Sequence, residues 1–201
     1  MATRRSQRGC LVINCLGPTL RENSLLMTVP DNPLHIDSDG TTRCWWCGDD
    51  AQYTAYHDTE WGRPVDNDVR LFEKLCLEGF QAGLSWITIL RKRENFRHAF
   101  GGFELNAVAS MTETDIKRLL ADAGIIRHRG KIEATINNAQ RAIALIDEAG
   151  SLASFVWQFE PRQRSAAEDH PSTSPESTAL SPGLRRPGCP CRTEERLSVS
   201  L

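Results

Sequence analysis

The sequence contains no apolar run that approaches the roughly 18 residues of a membrane-spanning helix. It also lacks a secretory signal, because the apolar stretch that follows the N-terminal arginines is short and Asn14 interrupts it. We therefore expect a cytoplasmic protein that makes no membrane contact. Its 201 residues suffice for one domain with a hydrophobic core and a tail.

An excess of positive charge is also missing. The chain has 24 Lys and Arg against 26 Asp and Glu, which gives a formal net charge of −2. A general attraction to nucleic acid is therefore not expected. A local basic patch can still bind a phosphate backbone, because the field near a surface depends on how the charges are arranged. The charge balance thus leaves a DNA partner open.

A disulfide framework is not expected either. The seven cysteines are an odd number, and they fall into three groups, at 10 and 15, at 44, 47 and 76, and at 189 and 191. Without a secretory signal, reduced thiols with room for one metal site are the better interpretation.

The composition divides the chain into three regions. Residues 1–40 contain Pro30, Pro33 and Gly40 with little periodicity, and we predict a poorly ordered leader there. Residues 41–160 carry the helical patterns and form the predicted domain. Residues 161–201 hold six of the ten prolines with many Ser and Arg and no aromatic residue. A segment of this kind buries too little apolar surface to offset its chain entropy, so we predict a disordered tail.

Apolar residues recur at helical spacing throughout the middle region. One helix is predicted to start at Asp66 or Asp68, and a second at Ser85. Thr112, three residues before Asp115, is typical of a capping box. Later helices are predicted between Gly130 and Gly150 and from Leu152 to Phe159. No alternating strand pattern competes with these helices, so the predicted fold class is all-α.

The densest chemical cluster extends from Arg43 to Trp61 and contains both tyrosines and three of the five tryptophans. Aromatic residues beside Cys and His indicate a pocket for a flat ligand, a metal site, or both. Cys44 and Cys47 are spaced like half of a zinc site, and His57 could add a ligand. The alternative is two half-buried thiols and a hydrogen-bonded core histidine, since no convincing fourth ligand follows in the chain.

Two further segments each allow a functional and a structural interpretation. Glu78 is flanked by apolar and small residues, so it is either a buried carboxylate with a raised pKa or a solvent-facing residue of an amphipathic helix. The segment 123–131 joins two helices and carries four basic side chains beside a helix start. It is either a phosphate-binding site or an ordinary connection with solvated charges.

Taken together, these segments resemble the DNA-3-methyladenine glycosylase I family. Residues 53–62 match its YxxYHDxEWG stretch, and further matching blocks lie at 77–79, 81–86, 91–96 and 123–132. We expect the likeness to run from Arg43 to about Phe159. It implies an all-α helix-hairpin-helix DNA glycosylase, a monomer that excises 3-methyladenine from double-stranded alkylated DNA.

The resemblance also implies roles for individual residues. Glu78 matches the essential pocket glutamate of the family, and three aromatic residues match those that surround the flipped base, namely Trp46, Tyr56 and Trp86. Cys44 and His57 match the first two ligands of a structural zinc, whereas Cys47 has no counterpart. The family pattern contains no lysine nucleophile, so cleavage of the DNA backbone is not implied.

The C-terminal sequence departs from the family pattern. In the family, the chain continues into a basic helix, the DNA-binding hairpin and the His and Cys that complete the zinc site. Here prolines replace a helix at 182–188, and we take a shifted reading frame as the working hypothesis. The zinc site is then expected to be incomplete. The alternative function is an inactive remnant, or a non-catalytic zinc-binding protein that lacks the hairpin.

Overall fold

The computed structural model of the chain describes residues 34–38, 40–160 and 175–184. None of the helices in these residues is long and apolar enough to cross a membrane. Two short strands, β1 (Leu34–Ile36) and β2 (Thr42–Cys44), precede the helices. The helices are α1 (Ala51–Thr59), α2 (Asp68–Gln81), α3 (Trp86–Ala99), α4 (Leu105–Ala109), α5 (Glu113–Ala121), α6 (Arg129–Ala149), α7 (Leu152–Trp157) and α8 (Pro175–Leu184).

Local signals explain where the main helices begin and end. The Asp115 carboxylate accepts a hydrogen bond from the backbone N–H of Thr112 at 2.9 Å, which confirms the predicted capping box. Gly150 ends α6 in the left-handed conformation, with φ of 84°. The cap of α2 is Asn67, whose side chain accepts from the N–H of Arg70. The predicted caps, Asp66 and Asp68, are therefore wrong.

The strands form an antiparallel hairpin that the sequence patterns did not predict. Leu34 lies opposite Cys44 and Ile36 lies opposite Thr42. The turn is closed by a hydrogen bond from the N–H of Gly40 to the carbonyl of Asp37, and Gly40 has a φ of 79° that favours glycine. Strands of three residues are too short to show an alternating pattern. The predicted leader at 1–40 is thus ordered from residue 34, and residues 1–33 lie outside the described part.

The core is centred on α2 and α3, and its largest members are phenylalanines. The rings of Phe80 and Phe96 lie 4.6 Å apart between centroids, and those of Phe100 and Phe103 lie 5.5 Å apart. α6 closes this core with fully or largely buried apolar side chains, including Ile132, Ile136 and Ala139. The all-α prediction is confirmed for the domain that these helices form.

A buried ion pair joins α2 to α3. Glu73 is 5% exposed, and Nη2 of Arg97 lies 2.8 Å from its Oε1. Pairing with Glu73 raises the pKa of Arg97 against the opposing effect of burial. Removing one partner would leave a buried charge without compensation. The free-energy cost of that charge exceeds the stabilisation that the intact pair provides.

The tail contains a helix that the sequence analysis did not expect. α8 spans ten residues within the segment predicted to be disordered, and Leu180 is fully buried. Its first residue, Pro175, occupies the first helical position, where an N–H would have no intrahelical acceptor and the fixed φ of proline suits the helix. The prediction of disorder is therefore wrong for 175–184. Residues 161–174 and 185–201 lie outside the described part of the chain.

Truncation of the phenylalanine core tests this packing. Phe100→Ala is expected to lower the free energy of unfolding by about 3–5 kcal/mol, because a fully buried ring is lost and a cavity remains. Ile36→Ala is the control, since Ile36 is 75% exposed, and it should change the free energy by less than about 0.5 kcal/mol. Urea unfolding measures both, and equal effects of the two substitutions would contradict the described core.

Candidate active site

Trp46 lies at the centre of an aromatic cluster built from the start of the domain. Its ring centroid is 5.0 Å from that of Tyr53, 5.3 Å from that of Trp61 and 6.4 Å from that of Tyr56. The imidazole of His57 also lies 5.3 Å from Trp46 and stacks on Trp61. Separations in this range are typical of attractive ring contacts. The short segment therefore forms one aromatic wall.

The geometry of α1 explains how this wall assembles. The carboxylate of Asp50 caps the helix by accepting a hydrogen bond from the N–H of Tyr53 at 2.9 Å. Tyr56 and His57 lie three and four residues after Tyr53, so each shares a helix face with Tyr53. Arg91 of α3 binds the other oxygen of Asp50 at 2.6 Å. The cap thus also orients α1 against α3.

A cavity of about 270 Å³ opens beside Tyr56 and Trp86. The centroids of these two rings are 5.6 Å apart. Lys74 and Leu77 of α2 also line the cavity, and so does Trp61. This volume is close to the lower limit for pockets that bind small ligands.

The ammonium of a half-buried lysine lies against the two rings of the cavity. Nζ of Lys74 is 4.6 Å from the centroid of Tyr56 and 4.7 Å from that of Trp86. It also donates a hydrogen bond to the hydroxyl of Tyr56. Both separations are within the range of cation–π attraction.

Glu78 supplies a carboxyl group that is largely removed from solvent. Its Oε1 is buried and has no hydrogen-bond partner within the described residues. Burial raises the pKa of Glu78 to about 7, and the positive charge of Lys74 opposes this rise. Glu78 follows Leu77 directly and lies one turn after Lys74, and both of these residues line the cavity. The buried alternative predicted from the sequence is the one that the structure shows.

The indole of Trp86 is the second buried polar group without a partner. Its Nε1 finds no hydrogen-bond acceptor within the described residues, although Trp86 is only 3% exposed. An unsatisfied donor and an unsatisfied acceptor in one region are costly in a folded chain. They are typical of a site that completes its hydrogen bonds with a ligand.

The segment between α2 and α3 is held by a lysine from α6. Nζ of Lys131 donates to the carbonyl of Phe80 at 3.2 Å and to that of Ala82 at 2.6 Å. Gly83 then reverses the chain with a φ of 80°. These contacts position the segment that joins Glu78 to Trp86.

The basic connection at 123–131 serves mainly internal contacts in the described structure. Arg129 pairs with Glu113 at 2.8 Å and with Glu133 at 3.0 Å. Lys131 binds the end of α2, and the ring of His128 accepts a hydrogen bond from the N–H of Lys131. His128, Arg129 and Lys131 thus have protein partners, which favours the ordinary helix connection at these three positions, whereas Arg127 is exposed.

The comparisons with known proteins identify the family. The methyladenine glycosylase family model matches residues 46–192. The chain belongs to the methyladenine glycosylase family. The match continues well beyond Phe159, so the likeness is longer than the sequence analysis expected.

Relatives of this glycosylase agree in sequence and in structure. It is 47% identical over 151 residues to DNA-3-methyladenine glycosylase 1 of Escherichia coli, which covers 73% of this chain and 81% of the relative. It is 43% identical over 157 residues to DNA-3-methyladenine glycosylase of Haemophilus influenzae, with 74% and 83% covered. A crystal structure of a 3-methyladenine DNA glycosylase I is 45% identical, with a TM-score of 0.68 over 79% of this chain and 86% of that chain. The family prediction is confirmed.

The two zinc ligands that the family resemblance implied, Cys44 and His57, both lie within the described residues. No group of three or more His, Cys, Asp and Glu within them could hold a metal ion. Nε2 of His57 accepts the N–H of Cys44 at 3.3 Å, and Nδ1 lies 2.9 Å from Asp58. Both ring nitrogens thus have protein partners, as the hydrogen-bonded alternative expected. The tail residues His170, Cys189 and Cys191 lie outside the described part of the glycosylase.

An arginine completes the network around His57. Arg43 is 6% exposed and binds Asp58 at 2.7 Å and Asp37 at 2.9 Å. These bonds, first from Arg43 and then from His57, lower the pKa of Asp58 to about 2. The Cys47 thiol donates to the carbonyl of Cys44 at 3.1 Å. The network ties the hairpin to α1.

The structure brings the three predicted aromatic residues together. Trp46, Tyr56 and Trp86 form a continuous chain of ring contacts through Tyr56. Tyr56 and Trp86 line the cavity, whereas Trp46 and Glu78 are not among its lining residues. Lys74 was missed, although it is four residues before Glu78 and therefore on the same helix face. Trp61 was noted within the aromatic cluster but was not assigned to the pocket that it lines.

The burial of Glu78 predicts how stability changes with pH. The folded glycosylase ionises this carboxyl near pH 7, whereas an exposed glutamate does so near pH 4.5. The free energy of unfolding therefore falls as pH rises between these values, by up to roughly 3 kcal/mol. Glu78→Gln should stabilise the fold by a comparable amount at about pH 8 and have little effect near pH 4.5 in urea unfolding.

The control for this measurement is Glu94→Gln, since Glu94 is 75% exposed. It should change the free energy of unfolding by less than about 1 kcal/mol at either pH. A Glu78→Gln effect that is the same at both pH values would show that the carboxyl is not desolvated.

Proposed function

We propose that this chain is a monofunctional DNA-3-methyladenine glycosylase that hydrolyses the N-glycosidic bond of 3-methyladenine in double-stranded alkylated DNA. Two findings support the proposal. The chain belongs to the methyladenine glycosylase family, and a relative of 38% identity has been solved in complex with 3-methyladenine. The geometry that carries it is the Glu78 carboxyl, whose buried Oε1 has no hydrogen-bond partner in the described part of the chain, on the helix that lines an aromatic cavity.

The substrate base must leave the duplex before it can enter such a cavity. A glycosylase rotates its target nucleotide out of the stack and binds the base between aromatic side chains. We assign this binding to Trp46, Tyr56 and Trp86, because the ring of Tyr56 contacts both of the others. Flat rings select the methylated base because they stack on it and attract its positive charge.

Glu78 is the proposed catalytic residue. Methylation at N3 gives adenine a positive charge and makes it a better leaving group, so the protein needs to supply little chemical activation. The carboxylate accepts a hydrogen bond from the edge of the base and stabilises positive charge as the bond to the sugar breaks. Water then attacks the sugar carbon. The indole N–H of Trp86 is available to donate to an acceptor on the base.

The rival function is an inactive remnant or a zinc-binding protein. A buried carboxyl with a raised pKa weakens the fold, and such groups are typical of active sites rather than of structural cores. This observation favours the glycosylase.

The proposal includes a monomer in the cytoplasm. Cys44, Cys47 and Cys76 are free thiols, which persist in a reducing compartment.

Replacement of the carboxylate tests the assignment. Glu78→Gln should lower excision of 3-methyladenine from methylated duplex DNA by at least about a hundredfold, because the amide keeps the shape but loses the charge. Release of the base under single-turnover conditions measures the rate, and Glu94→Gln, at an exposed position, should retain the parental rate. Excision by Glu78→Gln at the parental rate would refute the assignment of Glu78.

Zinc content forms a separate proposal. We propose that the purified chain holds less than one zinc per molecule, because Cys44 and His57 supply two of the four protein ligands that a structural site needs. Elemental analysis of the purified protein measures this ratio. One tightly held zinc that is lost on Cys44→Ser would show that Cys47 or the tail residues complete a site.

A further inference from the structure

Lys74 places a positive charge inside the cavity, at the faces of the two rings assigned to the base. Its Nζ lies 4.6 Å from the centroid of Tyr56 and 4.7 Å from that of Trp86, and it donates to the Tyr56 hydroxyl. The lysine side chain is therefore held by three contacts with two rings. Its position is determined by the fold rather than by free rotation in solvent.

The acidic residues that line the same cavity are engaged by arginines. Glu60 binds Arg93 at 2.8 Å and Arg70 at 3.2 Å. Glu73 binds Arg97 at 2.8 Å. The ammonium of Lys74 lies at the faces of the two rings, and its charge also opposes the rise in the pKa of Glu78, one turn later on α2.

The charge of the substrate changes during the reaction, and the charge of Lys74 does not. Before cleavage, the base of a 3-methyladenine nucleotide is a cation. When the bond between the sugar carbon and N9 breaks, its electron pair passes to the base, which becomes neutral, while the positive charge moves to the sugar. Water then adds its oxygen to the sugar carbon, and the proton is released to solvent. A fixed cation near the base therefore disfavours the state before cleavage more than the state after it.

We propose that Lys74 promotes departure of the base, because its ammonium beside Tyr56 and Trp86 repels the cationic base but not the neutral leaving group. This inference rests on the proposed function and deepens it. Lys74 then weakens binding of the charged substrate and increases the rate of the step that removes the charge.

Free bases of matched shape provide the first test. 9-Methyladenine is neutral, whereas 3,9-dimethyladeninium keeps a positive charge on the same ring system. Lys74→Met retains the length of the side chain and removes its charge. It should raise the affinity for the charged base about tenfold and change the affinity for the neutral base by less than about threefold. Quenching of tryptophan fluorescence measures both, since Trp46, Trp61 and Trp86 lie in the cluster.

Excision kinetics provide the second test. Lys74→Met should lower kcat for 3-methyladenine about tenfold and also lower KM, which indicates that ground-state repulsion has been removed. Lys74→Arg keeps the charge and should retain most of kcat. Lys117→Met, the same substitution at an exposed lysine of α5, should change neither constant. Thermal unfolding of each variant checks that the fold is retained.

The outcomes separate this inference from the proposed function. Equal changes in affinity for the two bases, an unchanged kcat, or a kcat that falls while KM rises would overturn the role of Lys74. Trapping of a covalent DNA adduct on Lys74 by borohydride would also overturn it, since the lysine would then act as a nucleophile. A parental chain that discriminates between the bases but does not excise would refute the proposed function alone. A chain that binds neither base would refute both.

Discussion

Burial of the Glu78 carboxyl on α2 is the constraint around which the site is organised. α2 must bury Leu71, Phe72 and Phe80 against the core, and that register also carries Glu78 away from solvent. The neighbouring charges reflect the same constraint. Glu73 is neutralised by Arg97, whereas Glu78 has the charge of Lys74 one turn away and no hydrogen-bond partner at Oε1 in the described residues. The same helix thus carries Glu73, whose carboxyl has a structural role, and Glu78, whose carboxyl is the one proposed for catalysis.

The main helices and their capping box were predictable from the sequence because the signals are local. Thr112 and Asp115 are three residues apart, and Gly150 follows the last apolar position of α6, so neither inference needed tertiary contacts. The hairpin and α8 were missed for different reasons. Strands of three residues carry too little pattern, and the prolines of the tail do not exclude a helix that begins at one of them.

Chemical detail of the pocket was harder to predict than its location. The aromatic cluster and Glu78 stood out as unusual combinations of residues, and the family resemblance connected them. Lys74 has no such signal, because a lysine on an amphipathic helix is normally solvated. Its importance depends on the ring faces of Tyr56 and Trp86, which come from α1 and from the start of α3. Spacing within a single helix cannot reveal which distant rings its residues will meet.

The contacts of Lys131 have a consequence for local motion. Its ammonium donates hydrogen bonds to the carbonyls of Phe80 and Ala82, at the end of α2 where the helix itself provides no donor. The last turn of α2 therefore cannot fray without also breaking contact with the first turn of α6. The rate of amide hydrogen exchange near the end of α2 should consequently depend on the opening of both α2 and α6, rather than of α2 alone. The backbone that carries Glu78 is in this way among the slower-exchanging parts of the molecule, although it lies close to a cavity.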